Sequence, residues 1–280
     1  MDRIRVVMPE VSIIIVNSNT KEWLRQCLVS LRSNEDVDQE VIVVDNASED
    51  GSREMLRQEF PQLKLIFNEE GFGFAYNNNL GAGISTAPVL LFLNPDTKVP
   101  AGSLRNMLDV MNHESEAGIF GGKVLDGTGR IERSTGTFPT IISIFLDRLL
   151  GYLPLLRPAF ERFSQRHYSG YDTLRSVDWV TGAFLWVRRE LFTAIGGWDS
   201  DIPMYYEDTD LCYRAQKAGY KILYVPQPIV FHFHSRTPID KKYRKVLMQK
   251  GLHNFVCKHY GPVRRCIYRK VFRLPELSPS

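Results

Sequence analysis

The chain has 280 residues with 44% hydrophobic, 11% aromatic and 24% charged side chains, which excludes disorder, collagen-like repeats and a small disulfide scaffold. Its net charge of +3 is unevenly placed: Lys241 to Arg273 holds 11 Lys or Arg and no Asp or Glu, leaving 24 basic against 32 acidic residues elsewhere, a balance of −8. An acidic body with a basic tail points to an anionic partner surface, membrane or nucleic acid. Cys27, Cys212, Cys257 and Cys266 form no Cys-x-x-Cys pair, which fits a reducing compartment and argues against a zinc site. No uncharged apolar stretch reaches the roughly 18 residues of a spanning helix, and the run Val11 to Val16 is too short for a signal-peptide core. A cytoplasmic location is expected.

In chain order, Val11-Ser-Ile-Ile-Ile-Val16 is a continuous β-branched run, as in a strand buried on both faces. Trp23, Leu24, Cys27, Leu28 and Leu31 recur at helical spacing. Then come a strand at Val41 to Val44, a helix around Ser52 to Phe60, a strand at Lys64 to Phe67, a helix around Gly73 to Ile84, and a strand at Val89 to Leu93. This alternation predicts a mostly parallel α/β sheet with right-handed crossovers. The segment from about Phe138 to Phe163 is rich in large apolar groups and reads equally as a core helix pair or a lipid-facing amphipathic segment. Trp179 to Val187 reads as turn and strand, Glu207 to Ala218 as a helix capped by Gly219, and Lys221 to Val225 and Ile229 to His234 as two strands.

Ligands of such sheets bind beyond the carboxyl ends of strands, which singles out Asn17, Asp45 and Asn94-Pro95-Asp96. Asp45 suits a ribose or base contact, and equally a turn and helix cap. Asp96, held by a rigid proline, could ligate Mg²⁺ with substrate phosphates, or simply form a Pro-Asp turn. His232 and His234 share one strand face, as metal or phosphate contacts or as structural residues. Tyr205-Tyr-Glu-Asp-Thr-Asp-Leu-Cys-Tyr-Arg214 puts three carboxylates at a helix start, where the dipole accounts for them. The neighbouring aromatics also suit a carboxylate whose pKa is raised toward that of a general base.

Five segments in order, ending in Asn17, Asp45-Asn-Ala-Ser, Gly71-Phe-Gly-Phe-Ala-Tyr-Asn-Asn78, Leu-Phe-Leu-Asn-Pro-Asp96 and Tyr-Glu-Asp-Thr-Asp-Leu-Cys-Tyr-Arg, closely resemble family 2 glycosyltransferases, with the bacterial rhamnosyltransferase-like group nearest. The resemblance spans residues 10 to 236. It implies a GT-A fold, in which a Rossmann-like nucleotide-sugar-binding half (about 10–100) runs into an acceptor-binding half (about 101–240), followed by a basic helical extension (241–280). It also implies a single inverting displacement at the anomeric carbon of a nucleotide sugar. Asp45, Asn17, Asn78, Asn94 and Asp96 would line the donor site, and a divalent cation (Mg²⁺ or Mn²⁺) would sit on Asp96 and His232, with His234 the lesser candidate. Asn94 stands where the family's first Asp-x-Asp carboxylate usually stands. Asp208 resembles the base and Glu207 its rival, while Trp179 and Gly182 shape the acceptor side. Lacking Gln-x-x-Arg-Trp, the chain is expected to transfer single sugars. It also lacks the Gly-x-Gly-Thr-Arg-like loop of nucleotidyltransferases.

The expected reaction moves L-rhamnose from a dTDP donor to a lipid-linked or cell-surface glycan precursor. The alternatives are a UDP-hexose or UDP-hexosamine donor, or a non-catalytic nucleotide- or glycan-binding relative. No nucleic acid partner is expected, since the tail has aromatics but no docking module. Docking of the tail on anionic lipid at the inner membrane face is the companion hypothesis.

Overall fold

In the computed structural model, which describes residues 8–140, 142–143, 171–202, 204–234, 241–263, 265–266 and 268, the run Val11–Asn17 is β1, paired in parallel on both sides. It lies between β2 (Gln39–Asn46) and β4 (Val89–Leu93), with β3 (Lys64–Asn68) outside β2. The sheet continues from β4 through β10 (Phe184–Arg188), β6 (Ala117–Asp126) and β11 (Lys221–His232) to the short β5 (Thr97–Lys98). β10 runs antiparallel to both its neighbours and β5 antiparallel to β11, so the sheet is parallel in its first half and mixed beyond. The two short strands β7 (Thr135–Gly136) and β9 (Trp179–Val180) pair with each other, and β8 (Arg175–Ser176) pairs with β11.

The period of two along β1 divides the core. Val11, Ile13 and Ile15 face one apolar layer with α1 (Lys21–Leu31), α2 (Ser52–Glu59) and α4 (Ser103–His113). Ile14 faces the other, built on α3 (Phe74–Ile84), α5 (Arg189–Ala194) and α6 (Glu207–Lys217). Leu24, Cys27, Leu28 and Leu31 of α1 are buried, and each such aliphatic contributes about 1.5–3 kcal/mol. Gly81 lets α3 lie against the sheet, since a Cβ there would fall 2.5 Å from Ile14 Cγ2.

Most expected elements stand within a residue or two. Three differences matter for the site. Lys221–His232 is one strand with a register shift between Tyr224 and Ile229, rather than two strands. No element was expected between Leu93 and Phe138, yet α4 and the central strand β6 lie there. The apolar segment Phe138 to Phe163 falls largely outside the described residues. The expected C-terminal helix is present as α7 (Lys241–His259), and it packs on α6 through Phe255, Val256 and Tyr260.

Candidate active site

Parallel register sets Asn17 beside Asp45 at the carboxyl edge. Asp45 is fully buried. Its carboxylate accepts from Asn17 Nδ2 (2.8 Å), the Ser48 amide (3.0 Å) and Arg53 Nε (3.0 Å). Asn17 is also fully buried, donates to Ser48 Oγ and accepts from Thr20 Oγ1 at 2.7 Å. Both residues thus fix the loops after β1 and β2. Asn46 does the same for the loop before α3, bonding Phe72 through its carboxamide at both the amide and the carbonyl. Asn78 is buried inside α3, donating to the Phe74 carbonyl at 3.0 Å.

One strand further along, Asn94-Pro95-Asp96 meets the end of β11. β5 pairs antiparallel with β11, Thr97 opposite His232, and the Phe233 amide donates to the Asp96 carbonyl. His232 Nε2 therefore lies 3.3 Å from Asp96 Oδ1 and 3.3 Å from Asn94 Nδ2, while its Nδ1 lies 3.3 Å from Glu132 Oε2. His234 turns back past the strand with a left-handed φ of 46° and reaches Glu132 Oε1 at 2.6 Å. Burial would lower the His232 pKa, but Asp96 and Glu132 outweigh it and raise it to about 9. Glu132 is held down by His232 and His234 against its own burial. Ligand atoms of Glu132, His232 and His234 lie within 4.8 Å of one another. Two carboxylates facing imidazoles favour positive charge at this point, and the group offers oxygen and nitrogen donors that could hold a divalent cation.

Glu207 and Asp208 open α6 behind two tyrosines, Tyr205 and Tyr206, with φ of 64° and 70°. A left-handed backbone at two successive non-glycine residues is costly, and it persists where the surroundings over-determine it. Asp208 accepts from the Gly182 amide at 3.2 Å and from the Thr209 amide at 2.7 Å. Glu207 Oε2 is buried without a hydrogen-bond partner among the described residues. Burial and then the Asp208 charge push the Glu207 carboxyl up to about 8. Burial also raises Asp208, opposed by its amide donors. Asp208 is consequently the better stabilised carboxylate and Glu207 the one that keeps its proton.

The Gly182 turn links the two clusters. Its next residue, Ala183, accepts from the Asn94 amide at 3.1 Å, so the Asp208 and Asp96 segments share one loop. Trp179 flanks that turn, donating its indole N–H to the Thr137 carbonyl. Residues 12–192 match glycosyl transferase family 2. The chain belongs to that family.

N-acetylglucosaminyl-diphospho-decaprenol L-rhamnosyltransferase of Mycobacterium tuberculosis (strain ATCC 25618 / H37Rv) is 29% identical over 231 residues, covering 79% of this chain and 75% of the relative. Rhamnosyltransferase WbbL of Escherichia coli (strain K12) is 28% identical over 233 residues, covering 80% and 83%. Among solved structures, mannosyltransferase PcManGT from Pyrobaculum calidifontis in complex with GDP-Man and Mn2+ aligns at TM-score 0.60 and 17% identity, over 95% of this chain and 70% of that one. GalNAc-T7 with UDP, GalNAc and Mn2+ aligns at TM-score 0.66 and 15% identity, over 96% and 52%. This family 2 glycosyltransferase has the GT-A fold.

Of the residues singled out in the sequence, Asn94, Asp96, His232 and His234 converge, and Gly182 meets Asp208. Asn17 and Asp45 form a separate buried pair, and Asn78 is back-bonded within its own helix. Glu132 and Arg53 were not anticipated. Arg53 had a positional signal, as the second residue of the helix after Asp45. Glu132 had none, because it lies in an irregular segment after β6, folded back by the Leu125–Ile131 bridge and by backbone bonds such as that of the Glu132 amide to Val124.

Proposed function

We propose that this chain is an inverting, non-processive glycosyltransferase that moves L-rhamnose from dTDP-L-rhamnose to a hydroxyl of a lipid-linked glycan precursor. The observation carrying this is the Gly182–Ala183 turn, which joins a partly ionisable carboxylate pair to a cation-favouring cluster. The names of both rhamnosyltransferase relatives support the sugar, and the diphospho-decaprenol in the mycobacterial name supports the acceptor class. In this reading residues 10–100 form the donor half, 101–240 the acceptor half, and 241–280 an extension to them.

Asp208 accepts the proton of the acceptor hydroxyl as that oxygen attacks the anomeric carbon and the bond to the nucleoside diphosphate breaks. Glu207, protonated, keeps a second negative charge away from the base. Gly182 and Thr209 orient the Asp208 oxygens, and Trp179 shapes the acceptor side. Asn17, Asp45 and Asn78 shape the nucleotide side, with Asn94 beside Asp96. Glu132, His232 and His234 would hold a divalent cation, with Asp96 at the other ring nitrogen of His232. When bound, that cation offsets charge developing on the departing diphosphate.

Panels of dTDP-, UDP- and GDP-sugars, screened for binding with and without Mn²⁺ and then for transfer to an N-acetylglucosaminyl-diphospho-prenol, test this reading. Mn²⁺-assisted turnover of dTDP-L-rhamnose is the expected result. Turnover of a UDP-hexose or UDP-hexosamine alone would transfer the assignment to that donor. Tight binding with no turnover of any sugar would make the protein a non-catalytic relative.

A further inference from the structure

The basic extension lies outside every motif of the family match, which ends at residue 192, yet α7 is in contact with the segment that presents the candidate base. Gly251 sits so close to that segment that a Cβ would fall 2.2 Å from the Tyr205 carbonyl oxygen and 3.2 Å from that of Met204. Phe255 stacks near Tyr206 and meets Tyr213 edge-on, with ring centroids 6.3 Å and 5.4 Å apart. Asn254 Nδ2 donates to the Asp201 carbonyl at 3.0 Å. One turn into α6, Asp210 is fully buried, and its Oδ1 faces His259 Nε2 at 2.6 Å and Lys258 Nζ at 3.0 Å, while Oδ2 pairs with Arg214 of its own helix at 2.7 Å. A buried carboxylate with a partner removed is left uncompensated, so α6 is pinned to α7 at this point.

These contacts bracket the two left-handed tyrosines. Strained backbone holds only where packing on both sides leaves no relaxed alternative, and here one of those sides is α7. Were the grip loosened, Tyr205 and Tyr206 could relax to ordinary φ values, and the carboxylates immediately after them would re-aim. Displacements of this size at a base reduce turnover without abolishing folding. We propose that α7 is a positioning element of the active site: Gly251, Lys258 and His259 hold Tyr205–Asp210 in the conformation that aims Asp208. This rests on the reading of Asp208 as the base.

The test uses the full chain with Gly251→Ala, His259→Ala, His259→Gln and Lys258→Ala, and with Asp208→Asn beside them. Each variant is measured for turnover of whichever nucleotide sugar the wild type uses, for dTDP and UDP affinity in Mn²⁺, and for amide exchange in residues 204–210. Expected for His259→Ala and Gly251→Ala is a kcat at least tenfold lower, nucleotide affinity within twofold, and faster exchange confined to that segment. His259→Gln, which keeps a hydrogen-bond donor, should recover part of kcat, and Lys258→Ala should fall between it and the wild type. Wild-type kcat in folded His259→Ala and Lys258→Ala would overturn the proposal, as would a loss of kcat and nucleotide affinity in equal measure. If Gly251→Ala fails to fold, the His259 and Lys258 variants decide alone. Full activity of Asp208→Asn would instead remove the base assignment, a result the exchange data do not depend on.

Discussion

At the end of β2 the Asp45 carboxylate is closed in by Asn17, Ser48 and Arg53, all within the first seventy residues of a parallel sheet. At the start of α6 the Asp208 carboxylate has two backbone amides, a partnerless Glu207 oxygen beside it, and strained tyrosines before it. The first carboxylate is a fixed part of the scaffold, neutralised by a neighbouring guanidinium. The second is a carboxylate pair whose burial keeps a proton nearby, with contacts drawn from residues as far apart as Gly182 and, through Asp210, His259. A saturated carboxylate organises loops, and an under-compensated one can exchange protons. In the proposed reading, the chemistry belongs to the half assembled from distant segments.

The largest expected effect separates the two. Asp208→Asn should lower transfer by about 10²–10⁴-fold while nucleotide affinity and folding persist. Its stability should equal or exceed the wild type's, because a carboxylate whose charge is disfavoured by burial is replaced by a neutral amide. Full transfer activity in this variant would sink the assignment. Asp45→Ala should instead loosen the loops after β1 and β2, lowering stability and nucleotide affinity together. Asn17 and the Ser48 amide lose a buried acceptor, a cost of about 1–3 kcal/mol, with little added for Arg53, whose side chain is 21% exposed. Urea unfolding of both variants reads the contrast, and unchanged stability of Asp45→Ala would mean the clamp is not holding the loops.

A smaller and more specific effect concerns pH. A base that must be ionised works better as pH rises, and both carboxyls are raised here, Glu207 from 4.5 to about 8. Transfer should therefore climb with pH along a limb displaced above the ordinary carboxylate range. Such a limb belongs to the pair rather than to either residue. Glu207→Gln removes the competing charge, and the limb should shift to lower pH. The linkage has the opposite sign for folding. Between pH of about 4.5 and 8 the native state keeps a proton on Glu207 that the unfolded chain releases, so this group's contribution to stability is present at low pH and lost as pH rises. A pH–rate profile that is flat above pH 5 would show that no raised carboxyl controls the rate.

Legibility in the sequence followed the same divide. β1 to β4 were readable because each is a short apolar run bounded by turn residues and separated from the next by a helical segment. Their register then placed Asn17 beside Asp45 automatically. Beyond Leu93 the chain stops alternating. α4 has its stripe in Leu104, Met107, Leu108 and Met111, but β6 carries Gly118, Gly121 and Gly122 and so lacks a strand's usual signature. Proline at 226 and 228 broke the apparent run of β11, although the strand passes through with a register shift. The cation-favouring cluster was half legible: Asp96 and His232 stand in recognisable motifs, whereas Glu132 enters only because β6 and β11 are neighbours in space. The tail's basic charge was visible, but nothing local shows that Lys258 and His259 meet a buried carboxylate.

That last contact alters how the membrane hypothesis can be tested. Among the described residues no helix is long and apolar enough to cross a membrane. Ending the chain near Asp240 would remove Asp210's partners along with the charge, confounding docking with loss of the active-site segment. Lys245 and Lys250 are exposed, with Val246 and Met248 alongside. Each lysine near an anionic surface contributes about 1 kcal/mol, which is roughly fivefold in affinity. Replacing both with Gln should weaken co-sedimentation with phosphatidylserine vesicles by roughly 25-fold at low salt, while turnover of a soluble acceptor and binding to neutral vesicles stay as they were. Unchanged sedimentation would leave the basic surface without a lipid role, and α7 with only its grip on α6.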